Sequence, residues 1–231
     1  MTKVLFVVSA ANQWTLRDGT THPTGFWAEE LAEPHRIFSQ AGWDITIATP
    51  DGVAPTLDRI SIGPAGGTHT KRTQIVEYLK TIRPQIDTPA NLSDVNQAEY
   101  DLVFYPGGHG PMEDLAVNKT SGQLLVDRVA SGKPLALLCH APAAIMAAHT
   151  DAGNAFAGYN MTGLSNAEEK MNPFAWKAKW FLETAMKDIG VEYHKAVLPF
   201  TSKVVVDRNV YTGQNPQSSV ALAERLVADL I

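Results

Sequence analysis

Short, unbroken apolar runs alternate with longer stretches of mixed character along this chain. Val4 to Val8 is the first such run, and Asp44-Ile-Thr-Ile-Ala-Thr49 follows a candidate helix that ends near Gly42, so the opening reads strand, helix, strand. Leu102-Val-Phe-Tyr105 and Leu135-Ala-Leu-Leu138 are further runs, each stopping at residues that favour a turn. Their unalternating character predicts a parallel sheet covered on both faces. Between Thr120 and Ala130, the apolar Leu124, Leu125, Val126 and Val129 fit a helix whose exit is the Ser131-Gly132 turn. That helix is the expected crossover from one strand to the next.

Later in the chain, Asn172-Pro173 predicts the start of a helix running through Lys187, with Gly190 ending it before Val191. Val204 to Val206 and Val210-Tyr211 flank Asp207-Arg-Asn209 as a hairpin, and Asn215-Pro216 opens a final helix reaching about Leu230. The segment from Gly52 to Glu99 is the least regular. It holds Gly63-Pro-Ala-Gly-Gly67, one helix near Thr73 to Ile82, and Pro84 and Pro89. With too few apolar residues for a core of its own, it reads as an elaboration beside the sheet.

Composition limits what such a fold can do. The 231 residues suffice for one large core, and no apolar stretch approaches the length of a membrane span. Nineteen basic against 24 acidic side chains give a formal charge of -5 with no basic block, so nucleic acid is not an expected partner. Small molecules or a second copy of the chain fit better. A single cysteine excludes an intramolecular disulfide, and Met1-Thr-Lys3 before Val4 to Val8 lacks a small-residue cleavage site, which makes the cytoplasm the expected location. Trp27, Trp176 and Trp180 read as packing residues, because no basic groove accompanies them.

Nucleotide cofactors are disfavoured on sequence grounds. The glycine run Pro106-Gly107-Gly108-His109-Gly110-Pro111 lacks the Gly-Lys-Ser/Thr ending of a phosphate loop, and Ser9-Ala-Ala-Asn12 replaces the glycines of a dinucleotide fingerprint. His22, His35, His69, His109, His140, His149 and His194 are scattered without compact ligand spacing, so no metal centre is expected.

Cys139 carries the strongest chemical signal. It stands in Leu135-Ala-Leu-Leu-Cys139-His140-Ala141-Pro142, where a strand ends abruptly and a small-residue helix begins, a place where backbone donors and a helix N-terminus favour a thiolate. A buried, inert cysteine is the plain alternative. The glycine run follows the Leu102 to Tyr105 strand at the same sheet end, where the Gly108 N–H and the amide of Cys139 or His140 form a candidate oxyanion hole. His140 is the candidate proton carrier near neutral pH. Glu29 and Glu30 at the entry to the first helix, and Glu168 and Glu169 after Thr162-Gly-Leu-Ser-Asn-Ala167, are the acidic candidates, and composition does not choose among them.

Taken in order, these motifs resemble those of the ThiJ/PfpI superfamily, a branch of the class I glutamine-amidotransferase-like fold, and more narrowly its heat-shock-related glutathione-independent glyoxalases. The resemblance runs through nearly the whole chain: Thr24-Gly25-Phe-Trp-Ala-Glu-Glu30, Gly107-Gly108-His109-Gly110, Cys139-His140, Thr162-Gly163-Leu-Ser-Asn-Ala-Glu-Glu169, and Thr212-Gly213-Gln-Asn215-Pro216. It implies an α/β architecture, a flavodoxin-like open and mostly parallel sheet with helices on both faces and a nucleophile elbow. It also implies a single domain over residues 1–231, elaborated at about 52–99.

By that resemblance, Cys139 is the elbow nucleophile, His140 its neighbouring histidine, and Glu30 the carboxyl that hydrogen-bonds the thiol. Glu169 completes the Cys-His-acid arrangement, with Glu168 as the near alternative. Gly108 and the backbone at Cys139 or His140 match the oxyanion donors. Ala141 departs from the pattern, since relatives usually have glycine there, and its methyl is expected to narrow the pocket or alter the elbow. The implied reaction converts methylglyoxal and similar 2-oxoaldehydes to 2-hydroxy acids through a Cys139 hemithioacetal, without a cofactor. A homodimer is the implied assembly. A Cys-dependent peptidase or hydrolase, and a chaperone or deglycase-like stress protein, are the competing readings.

Overall fold

The structure, a computed structural model, describes residues 1–230. Its centre is a seven-stranded sheet built from β1 (Lys3–Val7), β2 (Asp44–Thr49), β3 (Ala90–Asn91), β4 (Leu102–Tyr105), β5 (Leu135–Leu138), β6 (Val204–Asp207) and β7 (Val210–Gly213). The spatial order is β6-β7-β5-β4-β1-β2-β3, and every neighbouring pair is parallel except the β6–β7 hairpin. The unalternating runs of β1, β4 and β5 are buried along their lengths apart from Lys3, as strands covered on both faces must be.

Helices flank the sheet in two groups. Ala28–Gln40 packs against His69–Thr81 and Ser219–Leu230, whereas Lys119–Ser131 and Leu182–Asp188 pack with the short 3-10 segment Ala141–Ala147. Lys119–Ser131 is capped by the Asn118 side chain and stops at Gly132 in the left-handed region. It makes the anticipated crossover between β4 and β5. An aromatic cluster around Phe6 anchors the first group: its ring lies 4.9 Å from Phe104 and 6.0 Å from Phe38, which stacks on Trp43. Among the described residues, no helix is long and apolar enough to cross a membrane.

Three details differ from the sequence reading. The helix expected from Asn172 through Lys187 is broken into a 3-10 turn at Ala175–Lys177 and a helix at Leu182–Asp188. The intervening backbone is tied elsewhere: Arg17 donates through its N–H to the Lys177 carbonyl and through its guanidinium to that of Trp176, and Lys177 pairs with Asp18. Those partners belong to a small hairpin, Gln13–Thr15 with Thr21–Pro23, which apolar periodicity did not reveal. Within 52–99, Ala90–Asn91 joins the sheet edge beside β2, and the helix begins at His69, where the Thr68 hydroxyl caps it.

Register brings three strand ends together. Tyr105 pairs with Leu137, and Leu138 with Gly213, so the segments leaving β4, β5 and β7 emerge side by side. This is the sheet edge where ligands collect in open α/β folds. The opposite end is organised by Arg128, fully buried, whose guanidinium donates to the carbonyls of Pro134, Tyr100 and Asp101. Replacing it removes the donor and strands those carbonyls. Arg128→Leu is expected to lower the unfolding free energy by about 2–4 kcal/mol, measured by urea denaturation; a loss below about 0.5 kcal/mol would show that this network does not hold the strand entries.

Candidate functional site

The site begins with a strained backbone. Cys139 has φ +60, a left-handed conformation that costs a non-glycine residue about 1–3 kcal/mol. Neighbouring segments hold it there. The Cys139 N–H donates to the Gly213 carbonyl at 2.8 Å, and the Leu164 N–H donates to the Cys139 carbonyl at 2.9 Å. Gly107 closes the third side: a Cβ there would lie 2.5 Å from the Leu138 carbonyl oxygen and 2.9 Å from the His140 nitrogen, so only glycine lets the two loops meet.

From this elbow a chain of polar groups leads inward. Cys139 Sγ lies 3.5 Å from His140 Nδ1, and His140 Nε2 lies 2.5 Å from Glu169 Oε2. Nε2–H donating to the carboxylate leaves Nδ1 as the acceptor facing the thiol, the tautomer a base needs. Glu169 rather than Glu168 is therefore the histidine's partner. Glu168 forms a capping box with Ser165 and also accepts from Gln214, Asn215 and the Phe200 N–H. It ties the 195–203 segment and the β7 exit to the site without touching His140.

His109 is the residue that sequence reasoning left in a glycine turn. Its Nε2 is 3.0 Å from Glu169 Oε1, its ring centroid is 4.2 Å from that of His140, and it stacks on Trp14 at 4.4 Å. The advance signals were its position in the loop after β4 and its place in the Gly107-Gly108-His109-Gly110 motif. Two histidines that seemed scattered are thus gathered with Glu169, their potential ligand atoms all within 4.8 Å of one another. These three could hold a metal ion, yet each oxygen of Glu169 already accepts from an imidazole, so binding one would displace both hydrogen bonds.

Glu30 lies on the other side of the elbow, fully buried in the first turn of Ala28–Gln40. Its Oε2 accepts the Gly107 N–H at 2.8 Å, while Oε1 has no hydrogen-bond partner. Burial pushes this carboxyl well above the usual range, although Cys139 and the Gly107 N–H draw it partly back. Burial also pushes the Cys139 thiol up, and an ionised Glu30 would add to the rise. The expected helix after the elbow is a seven-residue 3-10 segment, Ala141–Ala147. Holding Glu30 neutral removes its charge from the sulfur's surroundings and supplies an O–H donor instead.

The two other titrating groups behave differently. Burial pulls His140 down, with His109 adding to the effect and Glu169 opposing it. Burial likewise opposes charge on Glu169, but the His140 and His109 imidazoles outweigh it and hold the carboxyl far below the ordinary range. One carboxyl is pushed toward its neutral form and the other held in its ionised form around a single thiol.

A cleft of about 510 Å³ opens onto these groups, lined by Cys139, His140, Gly108, His109 and Glu169 among others. Of the three amides expected to hold an oxyanion, that of Cys139 is already committed to Gly213. The amides of Gly108 and His140 donate to no acceptor among the described residues and remain free for it. Ala141 is fully buried and outside the lining, so its methyl does not narrow the cleft as expected.

The family model described as the DJ-1/PfpI family matches residues 22–229. The chain belongs to the DJ-1/PfpI family. A glutamine amidotransferase-like class 1 domain-containing protein 1 from Bos taurus is 27% identical over 190 residues, covering 82% of this chain and 81% of the relative. The protein/nucleic acid deglycase HchA of Escherichia coli is 23% identical over 239 residues, covering 99% of this chain and 81% of the relative. Among solved structures, the Rapid Encystment Protein of Francisella tularensis superposes with a TM-score of 0.86 at 26% identity over the full length of both chains. Glyoxalase III from Candida albicans superposes with a TM-score of 0.84 at 23% identity, covering 98% of this chain and 96% of that one, a likeness of fold.

The state of Glu30 has a measurable consequence. The folded protein keeps this proton at pH values where the unfolded chain, with an ordinary glutamate near pH 4.3, has lost it, so stability falls as pH rises above that value. Glu30→Gln removes the penalty and keeps the acceptor for Gly107. Urea denaturation from pH 5 to 8 should show the variant gaining on the parent by up to about 1.4 kcal/mol per pH unit; a gap that does not change with pH would mean that Glu30 is ionised in the folded protein.

Proposed function

We propose that this protein is a glutathione-independent glyoxalase that converts 2-oxoaldehydes such as methylglyoxal to 2-hydroxy acids on Cys139. The observation that carries this reading is the thiol in its left-handed elbow, with the His140–Glu169 pair on one side and buried Glu30 on the other. The glyoxalase III name of the Candida albicans structure agrees with it.

His140 Nδ1 takes the thiol proton as sulfur attacks the aldehyde carbon, and the C=O electron pair moves onto oxygen. The amides of Gly108 and His140 receive that oxyanion, which is protonated to a hemithioacetal. Removing the hydrogen from the former aldehyde carbon gives an enediol, and a proton delivered to the adjacent carbon gives the thioester of the hydroxy acid. His140 moves the proton, oriented and charge-balanced by Glu169, while Glu30, whose Oε1 has no other partner, offers its O–H to the sulfur once the thiolate forms. Water then attacks the thioester carbonyl, releasing lactate and the free thiol. One carbon is oxidised as its neighbour is reduced, so the electrons balance without an external acceptor.

The deglycase name of the E. coli relative supports a second substrate for the same chemistry, in which sulfur attacks a carbonyl adduct carried on protein or nucleic acid. Turnover separates these cases. Reduced wild-type protein should convert methylglyoxal to lactate without glutathione, Cys139→Ala should show none, and Glu169→Gln should lower kcat by about 10²–10⁴-fold. No turnover by well-folded wild-type protein contradicts the glyoxalase reading and leaves adduct removal and peptide hydrolysis to be assayed.

A further inference from the structure

The cleft is far larger than the substrate that names the reaction. At roughly 30 Å³ per water, about 510 Å³ has room for some 17 waters, and three-carbon methylglyoxal would leave most of it empty. The volume falls within the range of sites that enclose whole organic ligands.

The walls indicate what fills the remainder. Leu164 adjoins the nucleophile through its backbone bond to Cys139, and Trp27, Phe174, Ile60, Met171 and Phe200 extend the apolar lining. Ile60, Met171 and Phe200 are exposed, so this lining continues to the protein surface. Most polar residues of the wall are engaged elsewhere or covered, exposed Gln217 being the exception. Asp58 accepts from Thr24 and the Ile60 N–H, Glu168 is held by its capping box, and Glu169 by two histidines. The His22 ring lies tilted against Phe174 at 3.9 Å, and its Nε2, like Trp27 Nε1, is shielded from the open space.

No lysine or arginine lines the cleft, while three carboxyl groups do. An anionic substrate would lose its hydration and meet no compensating cation. A neutral substrate with a bulky apolar group would instead displace water from an apolar wall, a gain methylglyoxal cannot make.

We infer that the physiological substrate class is the neutral 2-oxoaldehyde bearing an aryl or branched alkyl group, with that group against Trp27, Leu164, Phe174 and Ile60. The inference rests on the glyoxalase reading for its reaction, but the fit of the cleft can be tested separately. The wild-type kcat/KM for phenylglyoxal should exceed that for methylglyoxal by at least about tenfold, since even one methylene in an apolar pocket discriminates by roughly 10–200-fold. A 4-carboxy group on the ring should reduce it by at least about tenfold. Comparing the phenylglyoxal-to-methylglyoxal ratio between wild type and variants cancels intrinsic reactivity; it should fall in both Phe174→Ser and Ile60→Ser, the latter at an exposed position where folding is undemanding.

A wild-type preference for methylglyoxal, or a ratio unchanged in both variants, overturns the inference and leaves the glyoxalase reading intact. If no aldehyde is turned over, the reaction fails and binding decides the cleft. Calorimetry on Cys139→Ala with 1-phenyl-1,2-propanedione and butanedione should then show the aryl dione binding at least tenfold more tightly. Equal binding overturns the inference.

Discussion

Cys139 holds a backbone conformation that L-residues avoid, and the site depends on how its surroundings compel it to do so. The strand ends of β4, β5 and β7 are in register, which lets Gly213 accept the cysteine amide and Gly107 approach the elbow without a Cβ in the way. The same turn sets the thiol beside His140 and leaves the His140 amide without an acceptor among the described residues. Committing the Cys139 amide to Gly213 has a chemical cost, because one of the expected oxyanion donors is spent on holding the nucleophile. The resulting geometry is thus a compromise between fixing the sulfur and stabilising charge beside it.

Burial sets the proton arrangement around that sulfur. In the same low-polarity region Glu30 has one backbone N–H for company and is pushed toward its neutral form, whereas Glu169 has two imidazoles that favour its ionised form. Two identical side-chain types, both opposed by burial, are driven toward different protonation states because only Glu169 has imidazole partners. A neutral His140 between thiol and carboxylate is then a base with an orientated lone pair, which suits a thiol that burial keeps protonated until substrate arrives. His109 and Trp14 add rigidity, since the stacked rings fix the second imidazole that holds Glu169.

Much of this was legible in the chain because it depends on local chemistry. Unalternating runs marked β1, β4 and β5, Gly132 marked the end of a helix, and the abrupt strand-to-helix change at Cys139 marked the elbow. What was not legible depends on contacts across the fold. Nothing near Asn172 reveals that the following residues are tied to the 13–23 hairpin and cannot continue a helix. Periodicity could not choose Glu169 over Glu168, because adjacent residues differ only in which way the short helix Asn166–Glu169 turns them. His109 stood at the right sheet end, but its pairing with Glu169 was not legible, since that partner lies 60 residues away. Ala90–Asn91 is too short a strand to announce itself by pattern.

In the proposed reaction, substrate becomes covalently attached to Cys139 and leaves as a hydroxy acid. Rapid acid quenching of wild-type protein mixed with methylglyoxal, followed by peptide mass spectrometry, tests it most directly, because hemithioacetal and lactoyl thioester are isomers and add the mass of one substrate. This mass should appear on the Cys139 peptide early in turnover and disappear as lactate accumulates. Lactate formed while Cys139 remains unmodified at every time, or an adduct that persists without lactate, would contradict it.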